Sequence, residues 1–426
     1  MNNGKLSAHD FMMYPLRPGG PTVAEAVERL RHQVAHKEFS DVIDDAGYQY
    51  VDLVLQGGGI LGIALVGYIY VLEQAGLRFL SLAGSSAGAI NTLLIAALGP
   101  PVAAKSEAML KHLANLDARE FLDGRFFARG ASLALARGAG KLSVVSQLSL
   151  ALPGLLKHYG LHPGKRFLGW VDEILRSENV DTAAKLRARM GTCPPGLRAR
   201  TGREERSFEC RIPGRLAIVT VDVVTKTKFV FPEMSALIFD DPDEVSPSTF
   251  VRASMSIPWF FHPSRTRGRR DEAQRALWVE LAGYQGELPD HHLFVDGGIV
   301  SNFPINIFHR PDVVPFAPTL GVRLGIERHA TNTSSFSRFT KATVDAARQA
   351  LDFDFLFRNP DYQHLIGTVE TEGFNWLNFE LGPQEKLGLF ARGVEAAVEF
   401  LTSFDWGKYK EVRFSLAEAD RRSRGI

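Results

Sequence analysis

Residues 50–76 read YVDLVLQGGGILGIALVGYIYVLEQAG: an apolar run enters a glycine cluster, and apolar residues then recur at helical spacing. A second unit of the same kind follows, with RFLSLAG leading into SSAGAINTLLIAAL. Strand–turn–helix twice in succession restricts the chain to α/β, with a mostly parallel central sheet covered by helices. Gly57, Gly59 and Gly62 also match G-x-G-x-x-G, the turn that cradles a dinucleotide. That ligand needs an acidic residue about 20 positions later, at the end of the second strand, and Ala83 and Gly84 stand there instead. The loop therefore suits a different anion. Consecutive backbone N–H groups leading into a helix are what a developing oxyanion requires, which points to Gly57, Gly58 and Gly59, with Ile60 as a further candidate.

The second turn carries the matching chemistry. Gly84-Ser85-Ser86-Ala87-Gly88 fits G-x-S-x-G, in which a serine sits on a sharp strand-to-helix turn. A Cβ at either flanking position, Gly84 or Gly88, would crowd such a turn. Ser86 is the expected nucleophile; the plainer reading makes Ser85 a turn residue capping the following helix. A base is needed as well. LFVDGGIVSNFP ends an apolar strand with Asp296, followed by Gly297 and Gly298 in another tight turn. Asp296 either activates Ser86 directly or orients a histidine; in hydrolase order that histidine would be His309, His329 or His364. An aspartate alone is a poor base by its solution pKa near 3.9, and burial beside the nucleophile would raise it. The plainer reading of Asp296 is an Asx turn that stabilises its own loop.

The rest of the chain bounds the reading. Formal net charge is +1 over 426 residues with no sustained basic helix, which argues against nucleic acid as partner. Cys193 and Cys210 could pair in principle, but they read as two inert thiols in a reducing compartment. No secretory leader and no membrane-length apolar run is evident, so the expected location is the cytoplasm. No histidine, cysteine or acidic cluster has metal-ligand spacing, so neither metal nor cofactor is expected. Residues 1–48 form an N-terminal helical extension, 49–402 the catalytic domain and 403–426 a tail. Within the domain, residues 100–215 read as a mainly helical cap or insertion, either packing a small core of its own or facing a membrane. The segment ends in an exposed basic loop, GTCPPGLRARTGREERSFECRIPGR, which suits solvent or anionic headgroups.

Together, GGGILG, GSSAG, ASMSIPWFFHP and DGGIVSNFP, in that order, resemble the patatin-like phospholipase family of lipid acyl hydrolases. The resemblance extends from about residue 50 to about residue 402. It implies a three-layer α/β/α sandwich and a Ser–Asp dyad without histidine, hence Ser86 with Asp296. It also implies an oxyanion hole at Gly57, Gly58 and Gly59, no cofactor, and phospholipase A or lysophospholipase activity on a lipid met in transient contact at a membrane surface. It leaves open any activating ligand or protein. Two departures stand out. The family's loop usually carries Arg or Lys where this chain has Leu61, and residues 100–215 follow the family only loosely. Two other readings compete: a Ser–His–Asp esterase of the α/β-hydrolase type, and a catalytically silent lipid-binding protein.

Overall fold

A computed structural model describes residues 5–136, 141–200, 214–325 and 352–424, with isolated positions between 330 and 346. The helices up to the middle of the chain are α1 (Ala8–Met12), α2 (Val23–Val34), α3 (Gly62–Gln74), α4 (Ala87–Ala97), α5 (Ser106–Leu113) and α6 (Phe126–Ala136). They are followed by α7 (Lys141–His158), α8 (Lys165–Ser177), α9 (Ala183–Met190), α10 (Pro247–Ser254) and α11 (Glu272–Ala282). Two long helices, Pro383–Ser403 and Trp406–Arg424, end the chain. Across residues 339–357, FTKATVDAARQALDFDFLF, the described positions 339, 342, 343, 346 and 352–357 are all helical.

The strands are β1 (Val42–Ile43), β2 (Gln49–Leu55), β3 (Leu77–Ser85), β4 (Gly160–His162), β5 (Arg198–Ala199) and β6 (Leu216–Asp222). Then come β7 (Thr227–Phe231), β8 (Trp259–Phe261), β9 (Ser264–Arg267), β10 (His291–Asp296), β11 (Thr319–Leu324) and β12 (Ile366–Val369). Strands β6, β7, β10 and β11 fall on the stretches RLAIVTVDVV, KFVFP, HHLFVDGGIVSNFPINIF and PTLGVRLGI.

Ten strands form one sheet, and β4 pairs with β8 separately. The sheet is mixed, which corrects the expectation of a mostly parallel one. Strands β12, β11, β2, β3 and β6 are mutually parallel, whereas β7, β10 and β9 join antiparallel. The reason lies in β6. Its residues Ile218–Asp222 pair with β7 along one edge. The other edge takes β3 as far as Ser85 opposite Val219, then β10 from Asp296 opposite Thr220. Two strands thus run towards each other along one edge of β6 and stop at consecutive residues.

Burial decides the helix packing. Strand β2 and helix α3 are apolar on nearly every side, as befits elements covered on both faces. Helix Pro383–Ser403 crosses α3 at backbone contact. A Cβ on Gly67 would overlap the Phe390 carbonyl, and one on Gly393 the Ala64 carbonyl. The N-terminal stretch joins the same core: Phe11, Val23, Val27 and Leu30 are buried in it. Residues 100–200 hold α5 to α9, β4 and β5. Of the basic loop, Arg198 and Arg200 pair with Asp45 and Glu38, while 201–213 lies outside the described residues. Cys193 is disulfide-bonded, contrary to the expectation of two inert thiols. Cys210 lies outside the described residues.

Candidate active site

Strand β3 ends in Ser85, and the chain turns into α4 through Ser86, whose φ of 52° and ψ of −121° lie outside the regions that side chains favour. A strained residue between a strand and a helix is the geometry the G-x-S-x-G pattern anticipates. The turn closes only on small neighbours. A Cβ on Gly84 would run into Gly88, and one on Gly88 into the Leu55 carbonyl. Ser86 is 6 % exposed, and its N–H is donated to Ser254 Oγ at 3.0 Å. Ser254 Oγ in turn donates to the Val219 carbonyl at 2.6 Å. Ser85 pairs with Val219 within the sheet and does not cap α4.

Asp296 ends β10 and is 7 % exposed. Its N–H is donated to the Ser256 carbonyl at 2.9 Å, and its Oδ1 accepts from Gly298 N–H at 2.8 Å. The Asx turn offered as the plainer reading is therefore present, and it fixes the carboxylate. Gly297 has no room for a side chain, since a Cβ there would sit 2.6 Å from Ser85 Oγ and overlap the Val219 carbonyl. The ends of β3 and β10 thus touch at the Gly297–Ser85 contact, which brings the turns bearing Ser86 and Asp296 together.

The glycine loop lies against the same place. A Cβ on Gly57 would come within 3.1 Å of Ser86 Cβ. Gly57 N–H is donated to the Asn302 carbonyl at 3.0 Å, and Asn302 Nδ2 donates back to the Gly57 carbonyl at 3.2 Å. Ile60 N–H is donated to the Trp376 carbonyl at 3.0 Å. Of the residues expected to offer backbone donors, Gly57 and Ile60 are thus already engaged, and Gly58 and Gly59 remain. Gly59 takes φ of +56° and has the Trp376 carbonyl where a Cβ would be, so only glycine fits. Leu61, where a basic residue was expected, is buried in the main core.

Ser86 and Gly59 open into a cavity of about 800 Å³, its mouth included. Its walls are apolar: Ile63, Ile90, Phe121, Trp170 and Phe261 from the sheet side and residues 100–200, with Phe379 and Leu381 from the C-terminal part. Among the described residues, Lys386 is the one charged residue in the lining, and its Nζ is turned to the Ala114 and Leu116 carbonyls at 3.0 and 2.8 Å. An apolar pocket with a serine in its lining accommodates an acyl chain far better than a polar substrate.

Of the histidines considered as bases, His309 contacts Tyr362 Oη at 3.1 Å, with burial holding its pKa below the usual range. Neither His309 nor His364 lines the cavity at Ser86, and His329 lies outside the described residues. The segment ASMSIPWFFHP, which carries part of the family resemblance, shows no role for its individual residues in sequence. In the structure Ser254 and Ser256 hold the two turns, and Arg252 holds Ser256. The Arg252 guanidinium donates to Ser256 Oγ at 2.6 Å and to the Pro163 and His262 carbonyls at 2.7 and 2.8 Å. Burial lowers its pKa to about 10. No pattern local to the sequence announces these contacts, nor that of Asn302.

The sequence model of one family, described as patatin-like phospholipase, matches residues 53–309. The uncharacterized protein YqhO of Bacillus subtilis is 25% identical over 360 residues, covering 84% of this chain and all of YqhO. Among solved structures, VipD of Legionella pneumophila aligns with a TM-score of 0.38 and 17% identity, over 86% of this chain and 70% of VipD. The ExoU–SpcU complex of the Pseudomonas aeruginosa type III secretion system aligns with a TM-score of 0.31 and 16% identity, over 88% of this chain and 59% of the matched one.

Proposed function

The chain belongs to the patatin-like phospholipase family, and from that premise we propose that it hydrolyses acyl esters of membrane phospholipids, as a phospholipase A or lysophospholipase, through a Ser86–Asp296 dyad. The observation that carries this reading is the meeting of β3 and β10 on one edge of β6, with Ser86 lining an apolar cavity.

Ser86 Oγ attacks the ester carbonyl carbon as its proton passes to the Asp296 carboxylate. The carbonyl oxygen becomes an oxyanion held by Gly58 and Gly59 N–H, at the start of the turn into α3. Collapse breaks the bond to the alcohol oxygen, which takes the proton from Asp296 and leaves as lysolipid or glycerol derivative. Water then attacks the acyl-Ser86 ester, gives its proton to Asp296, and frees the fatty acid as Ser86 regains its hydrogen. Gly298 N–H on Oδ1 keeps the carboxylate aimed through both half-reactions, and the cavity walls hold the acyl chain away from water.

Fatty-acid release from mixed phospholipid vesicles tests the reading. Ser86→Ala and Asp296→Asn are each expected to lose at least a thousandfold in rate while circular dichroism stays that of the parent. Undiminished release by Ser86→Ala would remove the serine from the mechanism. Full activity in Asp296→Asn, with loss in His309→Ala or His364→Ala, would move the base to a histidine.

A further inference from the structure

The most exposed aromatic residues near the site have no internal purpose. Trp259 is 68 % and Phe126 83 % exposed, and Phe127 and Tyr159 are also open to solvent. On α7, Leu152 and Leu156 recur at i and i+4, with Tyr159 three residues on, so they form an outward stripe, whereas Ala151 and Leu155 face inward onto Ala128 and Leu161. That inner contact puts the start of α6, the end of α7 and β4 side by side. Strand β4 pairs with β8 through Gly160 opposite Trp259, which brings Trp259 beside Tyr159. Both aromatics sit at positive φ, 59° for Tyr159 and 64° for Trp259, where a bulky side chain is a true outlier. The fold holds two large rings in strained backbone and points both at solvent.

The charge around them is predominantly basic, with Asp123 the acid that acts on His262. The chain as a whole is nearly balanced, with 49 Lys and Arg against 48 Asp and Glu. Yet residues 124–171 contain seven basic residues and no acidic one. Of these, Arg125, Arg129 and Lys157 are exposed, as is Arg265 on β9, and none of the four has an ion pair among the described residues. A cleft lies beside the aromatic stripe, lined by Lys157, His158, Tyr159, His262 and Arg265. The His158 and His262 rings stack in it at 4.9 Å.

We propose that this face docks the protein on anionic phospholipid bilayers, its aromatic rings and leucines entering the interface and the Lys157–Arg265 cleft receiving a lipid phosphate. Charge complementarity selects the occupant: rings of amphipathic size beside unpaired Lys and Arg are the composition of an interfacial anchor, and a bilayer with anionic headgroups satisfies both. Strand β8 joins this face to the cavity. Trp259 points out, while its chain neighbours Ile257 and Phe261 line the pocket at Ser86. Docking here sets the acyl cavity beside the lipid it consumes. The proposal deepens the hydrolase reading and rests on it for why a bilayer is visited.

The test is co-sedimentation of Ser86→Ala protein with vesicles of phosphatidylcholine alone and of phosphatidylcholine with phosphatidylglycerol. Binding is expected to be at least tenfold tighter to the mixed vesicles. Lys157→Glu/Arg265→Glu is expected to erase that preference, and Phe126→Ala/Trp259→Ala to weaken binding to both by more than tenfold. In the parent background, neither pair should alter turnover of a soluble short-chain ester. Absence of vesicle binding, equal binding to the two compositions, or undiminished binding of the variants would overturn the proposal. A dimer in sedimentation velocity that Trp259→Ala dissolves would also overturn it, by giving the face to a second copy. Ester turnover without vesicle binding defeats the docking face alone; vesicle binding without ester turnover defeats the hydrolase reading alone.

Discussion

Ser86 depends on Ser254 more than its motif reveals. The Ser86 N–H is buried and finds its acceptor in Ser254 Oγ, and the same hydroxyl donates to the Val219 carbonyl on which β3 ends. Removing that hydroxyl leaves a buried donor and a buried acceptor unmatched, at a cost of about 1–3 kcal/mol. Part of that cost falls on the strained turn, which relaxes away from φ of 52°. Ser254→Ala is therefore expected to lower kcat about tenfold or more on any ester substrate, with KM little changed because the cavity walls are intact. A purely structural role would lower the melting temperature and leave kcat per folded molecule unaltered, so the two are measured together. The proposed nucleophile and base, Ser86 and Asp296, could be picked out in sequence because each sits in a turn whose glycines are its immediate neighbours. Ser254, Ser256, Arg252 and Asn302 were not, because each acts on residues far away in the chain, and a serine or asparagine in a loop looks the same whether or not it holds something.

Among elements, the strands show where sequence reading stops. β2, β3, β6 and β11 announce themselves as apolar runs, and the two strand–turn–helix units at the start are local enough to fix their own direction. β10 is equally apolar, but a short strand buried on both faces carries no mark of its orientation. Only its partners decide that it runs against β6, and that reversal is what turns a mostly parallel expectation into a mixed sheet. The long helix Pro383–Ser403 carries its apolar residues at helical spacing, yet nothing in that spacing names its partner. It packs on α3 at Gly67 and Gly393, where the two backbones touch. A methyl group at Gly393 would overlap the Ala64 carbonyl, which no side-chain rotation can relieve. Gly393→Ala is expected to destabilise the fold by about 3 kcal/mol, beyond the small gain a helix makes from alanine over glycine. Chemical denaturation would register it as a lower midpoint; a midpoint at or above that of the parent would mean the helices separate without cost.

At the scale of the whole molecule, residues 100–200 meet the later part of the chain at β4, where His162 packs against Phe260 and Phe261. This side chain is fully buried: its Nδ1 accepts from Gly124 N–H at 2.9 Å, which leaves the proton on Nε2, 2.7 Å from Ser132 Oγ on α6. A second proton would have to sit on Nδ1 and break the bond to Gly124. Burial is the main reason its pKa falls to about 4, with His262 and Arg129 lowering it further and Asp123 opposing. The unfolded chain binds that proton near pH 6.5. Between pH 6.5 and about 4 the unfolded state therefore carries more protons than the folded one. Stability from this group is full above pH 6.5, is lost as pH falls towards 4, and changes no further below. The whole span is worth about 3 kcal/mol by the usual conversion of pKa difference to free energy. His162→Leu gives up both hydrogen bonds but cannot take a proton. The variant is expected to be less stable than the parent at pH 7.5, with the gap narrowing steadily as both are titrated to pH 4. Urea denaturation at a series of pH values reads that gap directly, and a gap that stays constant would show that His162 titrates alike in the folded and unfolded chain.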